Sequence, residues 1–332
     1  MGKSAVREKH DQLVVVVSQG GEARACRVLD FRDSTSYCPL LKELAYRCVA
    51  ADPGLAGMPW EARLALADLG PGTQLTIEAW SLGRRARRLA SLDVPLSHFA
   101  WIGAALAKQL GLPDGYTVQV AATDRHHPLV ERWLKWEDDE VAIEETAATL
   151  LLPADFSIAP LGPRRPIGRP RHSFLKCVFT PQTYREFSEA AAAETENERG
   201  WLAQVRVHLA VGACCVVIDN LIEPPAAQRG RGFLRTEGRQ FFDLYRRYQR
   251  LGGYLHLHPR ELDDVALAPL PSGPDTTLAW NLDACAAPMI VMPIAMFGFR
   301  PRQAAADMSA CGFLAGKLAP IDLEVLCDAS TG

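Results

Sequence analysis

The stretch Arg164-Arg165-Pro166-Ile167-Gly168-Arg169-Pro170-Arg171 constrains this chain more than any other. Its two prolines are poorly tolerated inside a helix or a central strand, and its four arginines favour water. Proline alternating with arginine reads as a solvated linker rather than as a phosphate-binding face. Residues 160–173 are therefore expected to separate two folded parts. The length of 332 residues agrees, because one ordinary core does not grow that large.

Composition serves mainly to exclude. Hydrophobic residues make up 48% of the chain and charged residues 23%, the balance of a globular protein rather than a disordered one. A formal charge of −3 supplies no general field for binding nucleic acid. Met1-Gly2-Lys3-Ser4 leads into no apolar core of secretory length, and Val6 stands where a myristoylation signal needs Ser or Thr. No apolar run is long enough to span a bilayer. The expectation is a cytoplasmic protein that binds neither nucleic acid nor membrane. The nine cysteines include no CxxC pair, which argues against a zinc ribbon. Reduced thiols are expected, with Cys214 and Cys215 as small core residues in an apolar run.

Ahead of the basic stretch, residues 13–17 and 25–31 read as strands about the turn Gln19-Gly20-Gly21. Residues 39–51 read as a helix with Leu40, Leu41, Leu44 and Ala45 on one stripe, and residues 74–80 as a strand. Strand, strand, helix, strand makes residues 1–85 a small α+β domain, compatible with the β-grasp fold of ubiquitin. Residues 86–159 are expected to form a second small α+β unit. Its helix would be capped by Ser97, carry Trp101, Ile102, Leu106 and Leu110 on one face and end at Gly111, before a strand over 117–121. His126 and His127 are loop neighbours before Pro128, without spaced partners, and read as exposed.

Residues 174–330 form the third expected domain. Strands are predicted over 174–180, 201–207, 213–218, 254–258 and 289–292. Helices are predicted over 181–194 and 240–250 and from Gly273 onward. This is an α+β layer, helices against a mixed sheet.

That last domain holds the residues able to do chemistry. His256 and His258 lie two apart on a predicted strand, so both imidazoles point to one face and can meet one ion. A catalytic zinc needs a third protein ligand and an open position for water. After His258 come Pro259 and, further on, Pro271-Ser272-Gly273-Pro274-Asp275, in which Ser272 can begin a helix with Asp275 in its first turn. Upstream, Glu198 precedes Gly200 and Trp201 at the mouth of a strand, where a carboxylate outside the metal shell could move protons. The loop between His258 and Ser272 also offers Glu261, Asp263 and Asp264 as alternative acid ligands.

Together these elements resemble the JAB/MPN (JAMM) metalloprotease family, whose signature is an upstream Glu, then HxH-Pro, then Ser-x-x-Asp. The resemblance covers about residues 174–300. It implies a cytidine-deaminase-like mixed sheet with flanking helices. It implies Zn2+ held by His256, His258 and Asp275, with Glu198 as general acid/base and Ser272 stabilising the oxyanion. It further implies an isopeptidase that deconjugates or processes a ubiquitin-like protein, working beside E1-like and E2-like enzymes in a bacterial, in some cases antiviral, pathway. Leu257 stands where the family usually has Ser or Thr, and thirteen residues, Pro259 to Pro271, separate His258 from Ser272, a longer loop than usual. Two other readings stay open: a metal-free scaffold, and a hydrolase acting on sulfur-carrier tails or small peptidyl conjugates.

Overall fold

The computed structural model describes residues 11–29, 39–65, 74–82, 85–95, 99–112, 115–124, 150–193, 197–224, 228–230, 233–235, 243–244, 247–248, 250–259, 271–285, 288–297 and 308–327. The chain divides into two compact units, Met1–Ser36 with Met58–Leu151, and Tyr37–Gly57 with Leu152–Gly332. Strand pairing crosses the boundary expected at residue 85, and the helix over 39–51 goes with the second unit.

In the first unit, β1 (Asp11–Gln19) pairs antiparallel with β2 (Glu22–Leu29) and with β6 (Thr117–Asp124). The β1–β2 turn needs Gly20 and Gly21, both at positive φ. Helix α2 (Ala100–Gln109) packs on β1 and β6; Phe99 precedes it without a side-chain cap bond. A second sheet orders β5 (Arg88–Pro95), β4 (Gln74–Ser81), β3 (Pro59–Ala65) and β7 (Leu150–Leu151). These two small sheets replace the expected pair of α+β domains. The β-grasp order fails because its helix belongs elsewhere and β1 is flanked by antiparallel partners on both sides. His126 and His127 lie outside the described residues.

The second unit corrects the expected JAB/MPN sheet with flanking helices. Its strands are β8 (Arg164–Pro166), β9 (Leu175–Phe179), β10 (Gly200–Ala210), β11 (Ala213–Ile222), β14 (Leu251–Pro259), β15 (Val291–Phe297), β16 (Met308–Leu314) and β17 (Lys317–Leu326). A separate short hairpin joins β12 (Gln228–Gly230) to β13 (Phe233–Arg235). Hydrogen bonding runs β16-β15-β14-β10-β11-β9-β17, and β17 returns to β16, so seven strands close a mixed barrel. Closure depends on β16 and β17, which lie beyond the elements read from the sequence. Residues 317–321 of β17 pair with β16, and residues 324–326 pair with β8. The basic stretch is thus partly strand: Arg164 reaches Glu324 at 2.9 Å, and Pro166, which has no N–H to give, lies opposite Glu324 while the next residue, Ile167, donates its N–H to Leu323 O at 2.8 Å.

Burial on both faces explains the apolar runs of this unit. Cys214 to Ile218 are all buried, as are Tyr254 to Leu257. Helix α3 (Pro181–Ala193) buries Thr183, Phe187 and Ala191, one helical stripe, and packs against β9, β11, β15 and β17. Phe187 stacks on Phe179 and meets Trp201 edge-on. Helix α4 (Gly273–Cys285) crosses from β14 to the parallel β15, adding Ala279 and Leu282 to a cluster with Leu202, Tyr254, Met292, Ile294 and Phe313. Helix α1 (Pro39–Ala51) docks through buried charge. Lys42 Nζ donates to the Asp283 carbonyl near the end of α4 and lies 3.1 Å from its carboxylate, while Glu43 accepts from Ala315 N and Arg47. The loop before β9 is held by Asp322, whose carboxylate accepts from the backbone N–H groups of Arg171, His172 and Ser173. Among the described residues, no helix is long and apolar enough to cross a membrane.

Candidate metal centre

The site forms where β14 ends and α4 begins, at the carboxyl end of a strand and the amino end of the following helix. Strand alternation puts Tyr254, His256 and His258 on one face and Leu255 and Leu257 on the other. Leu257 is fully buried on that other face, so its departure from the family pattern takes no part in the histidine side. Gly253 is required for the close approach of neighbouring strands: a Cβ there would lie 2.8 Å from Ala203 Cβ.

Helix α4 then brings Asp275 to the histidines. Ser272 N and Ser272 Oγ each donate to Asp275 Oδ2 at 2.7 Å, and Asp275 N donates back to Ser272 Oγ at 3.3 Å. This reciprocal cap fixes the carboxylate in the first helical turn. His256 Nε2 and His258 Nε2 lie 3.4 and 3.3 Å from that Oδ2, and 2.8 Å from each other. Four-coordinate zinc with bonds of about 2.0–2.1 Å separates its ligand atoms by about 3.3 Å. The triangle is close to one face of such a tetrahedron, and two imidazoles with a carboxylate are a suitable donor set. His256, His258 and Asp275 could hold a metal ion.

The electrostatics agree with that chemistry. Burial pushes the Asp275 carboxyl up, but hydrogen bonds from the two imidazoles and from Ser272 outweigh it and hold the group well below the carboxylate range. Burial lowers the His256 pKa against the pull of Asp275, favouring the neutral ring that ligates metal. His256 is 2% exposed, and its Nδ1 has no hydrogen-bond partner among the described residues.

Glu198 comes to the same corner. Gly200 pairs with His256 across β10 and β14, and Leu257 N donates to Arg199 O at 2.9 Å, which places Glu198 beside His258. Glu198 is half-buried; burial raises its pKa, His258 opposes the rise and Asp275 adds to it. All five residues read from the sequence are thus brought to one corner of the barrel. Glu261, Asp263 and Asp264 lie outside the described residues. One neighbour and one more distant support were missed. Tyr254 stacks on His256, a contact its spacing of two along the strand could have suggested. Lys42 holds the far end of α4, and nothing local in the sequence signals a partner so distant along the chain. Compared with protein-family models and with curated proteins, the chain matches none of either.

Proposed function

We propose that this protein is a zinc-dependent peptidase or isopeptidase that cleaves after the C-terminal tail of a ubiquitin-like modifier. The observation that carries the reading is the convergence of His256, His258 and Asp275, with Glu198 beside His258 and Ser272 at the start of α4. The residue pattern itself, an upstream Glu, HxH-Pro and Ser-x-x-Asp, is the reason for choosing the JAB/MPN type of hydrolysis among metal-dependent reactions. The reading rests on the site and not on the barrel, since folds of one kind host many chemistries.

His256, His258 and Asp275 would hold the ion. Zinc bound there supplies a Lewis acid for the scissile carbonyl and eases deprotonation of water. Glu198 takes the proton of the attacking water and returns it to the leaving amine. Ser272 orients Asp275 in the resting arrangement; donation to the developing oxyanion requires its hydroxyl to turn away from Oδ2. E1-like and E2-like enzymes are the partners this reading calls for, with the C-terminal tail of the modifier as substrate.

Zinc content and cleavage of a ubiquitin-like fusion test the reading together. Wild type should carry about one zinc per chain, His256→Ala little. Glu198→Gln should keep its zinc and cleave about 10²–10⁴-fold more slowly. Equal cleavage by wild type and Glu198→Gln would remove the proposed base. A chain that takes up no zinc on reconstitution would leave a scaffold instead of an enzyme.

A further inference from the structure

A histidine ligand must keep its ring within a narrow angular range, yet rotation about its second side-chain torsion has only a broad preference. Metal-bound imidazoles are ordinarily steadied by donation from the second ring nitrogen to a carboxylate or carbonyl. His256 lacks this support among the described residues, because its buried Nδ1 meets no acceptor. Among the described residues, the ring is held by other contacts.

The ring of Tyr254 does lie against it. The two ring centroids are 5.2 Å apart with an interplanar angle of 25°, a stacked pair. On its other side His256 meets His258 at 4.6 Å, tilted by 54°. Tyr254 is itself immobilised, 4% exposed and packed in the cluster of Leu202, Leu251, Leu282, Met292 and Ile294. That cluster includes both α4 and β15, so the plane that faces His256 is set by the barrel core.

We propose that Tyr254 is a positioning residue which holds the His256 imidazole in its metal-binding orientation by ring stacking, in place of a hydrogen bond to Nδ1. The inference rests on the metal-site reading above. It makes the aromatic face of residue 254 essential and its hydroxyl dispensable. Leucine, which keeps apolar volume but no flat face, leaves the imidazole free to rotate.

Cobalt(II) titration of the metal-free protein, followed by its visible ligand-field spectrum, separates these roles. Tyr254→Phe should match wild type in both affinity and spectrum. Tyr254→Leu should bind cobalt at least about tenfold more weakly, the usual scale for losing a ligand's support, and show an altered spectrum at saturation. The saturated spectrum reports ligand geometry, which a general loss of stability would not move. Tyr254→Leu with wild-type affinity and spectrum would overturn the proposal, as would equal losses in Phe and Leu variants, which would assign the role to the hydroxyl. Wild type that binds no cobalt would instead overturn the metal site itself.

Discussion

Two acids, the buried Asp322 and the partly buried Asp275, begin from the same arrangement and end in opposite roles. Each accepts from the backbone N–H and the hydroxyl of one serine: Asp322 from Ser173 at 2.8 and 3.2 Å, Asp275 from Ser272 at 2.7 Å for both. What fills the rest of each carboxylate differs. Asp322 takes two more N–H donors, from Arg171 at 2.5 Å and from His172 at 3.2 Å, with Lys176 Nζ at 3.5 Å. Positive φ at His172 helps turn successive N–H groups toward the anion, as in a backbone nest. Asp275 faces two imidazole nitrogens that lie 2.8 Å apart and can accept as readily as donate. A carboxylate surrounded by donors is a closed staple. Asp275 keeps its two donors from Ser272, and beyond them its carboxylate and the two imidazoles offer three ligand atoms to one cation.

Exchanging the two acids for uncharged residues should therefore produce two unlike losses. The larger is at the candidate metal centre: Asp275→Ala should leave the proposed zinc site with two protein ligands and reduce bound zinc from about one per chain to a trace, measured by elemental analysis. Zinc retained in that variant would move the third ligand to Glu261, Asp263 or Asp264 and undo the contrast. Asp322→Asn should keep its zinc and lose stability instead. Removing the charge from an acceptor of several buried donors costs about 3 kcal/mol, read from denaturant unfolding of the metal-free protein. If Asp322→Asn lost zinc as well, the two corners would be one coupled network rather than a staple and a site.

How much of this was legible depended on sequence distance. His256 and His258 share a face because strand alternation is local, and Ser272 with Asp275 reads as a helix start because capping is local too. Glu198 could be joined to them only through the family resemblance, since the pairing of Gly200 with His256 spans a long stretch of chain. The same limit explains the errors of fold. Whether a sheet stays open or closes is decided by the return of β17 to both β9 and β16, and no periodicity within either strand encodes its neighbours. Arg164–Pro166 looked like linker because its composition is that of one; Glu324 and the edge of β17 make it a strand. Helix α1 was legible as a helix, but its place was not. That place rests on a buried apolar face packed against β10, β11 and β16, and on polar contacts made far along the chain, Lys42 with Asp283 and Glu43 with Ala315.

The smallest expected effect sharpens the comparison through pH. Burial raises the Asp322 pKa, but the N–H donors, Lys176 and Ser173 outweigh it, and the folded value lies below the ordinary one. An acid of depressed pKa contributes stability that is fully present above its unfolded value, about 3.9, and is lost as pH falls through the folded value. The stability difference between wild type and Asp322→Asn, both stripped of metal, should be flat from about pH 7 to pH 5 and shrink steadily below about pH 4. Taking the difference cancels Glu324 and the other carboxylates that titrate in the same range, provided they respond alike in both proteins. A difference that stayed constant into strong acid would mean that Asp322 holds the loop at residues 171–173 by shape alone, with its charge contributing nothing. In that case its likeness to Asp275 would be one of geometry and not of electrostatics.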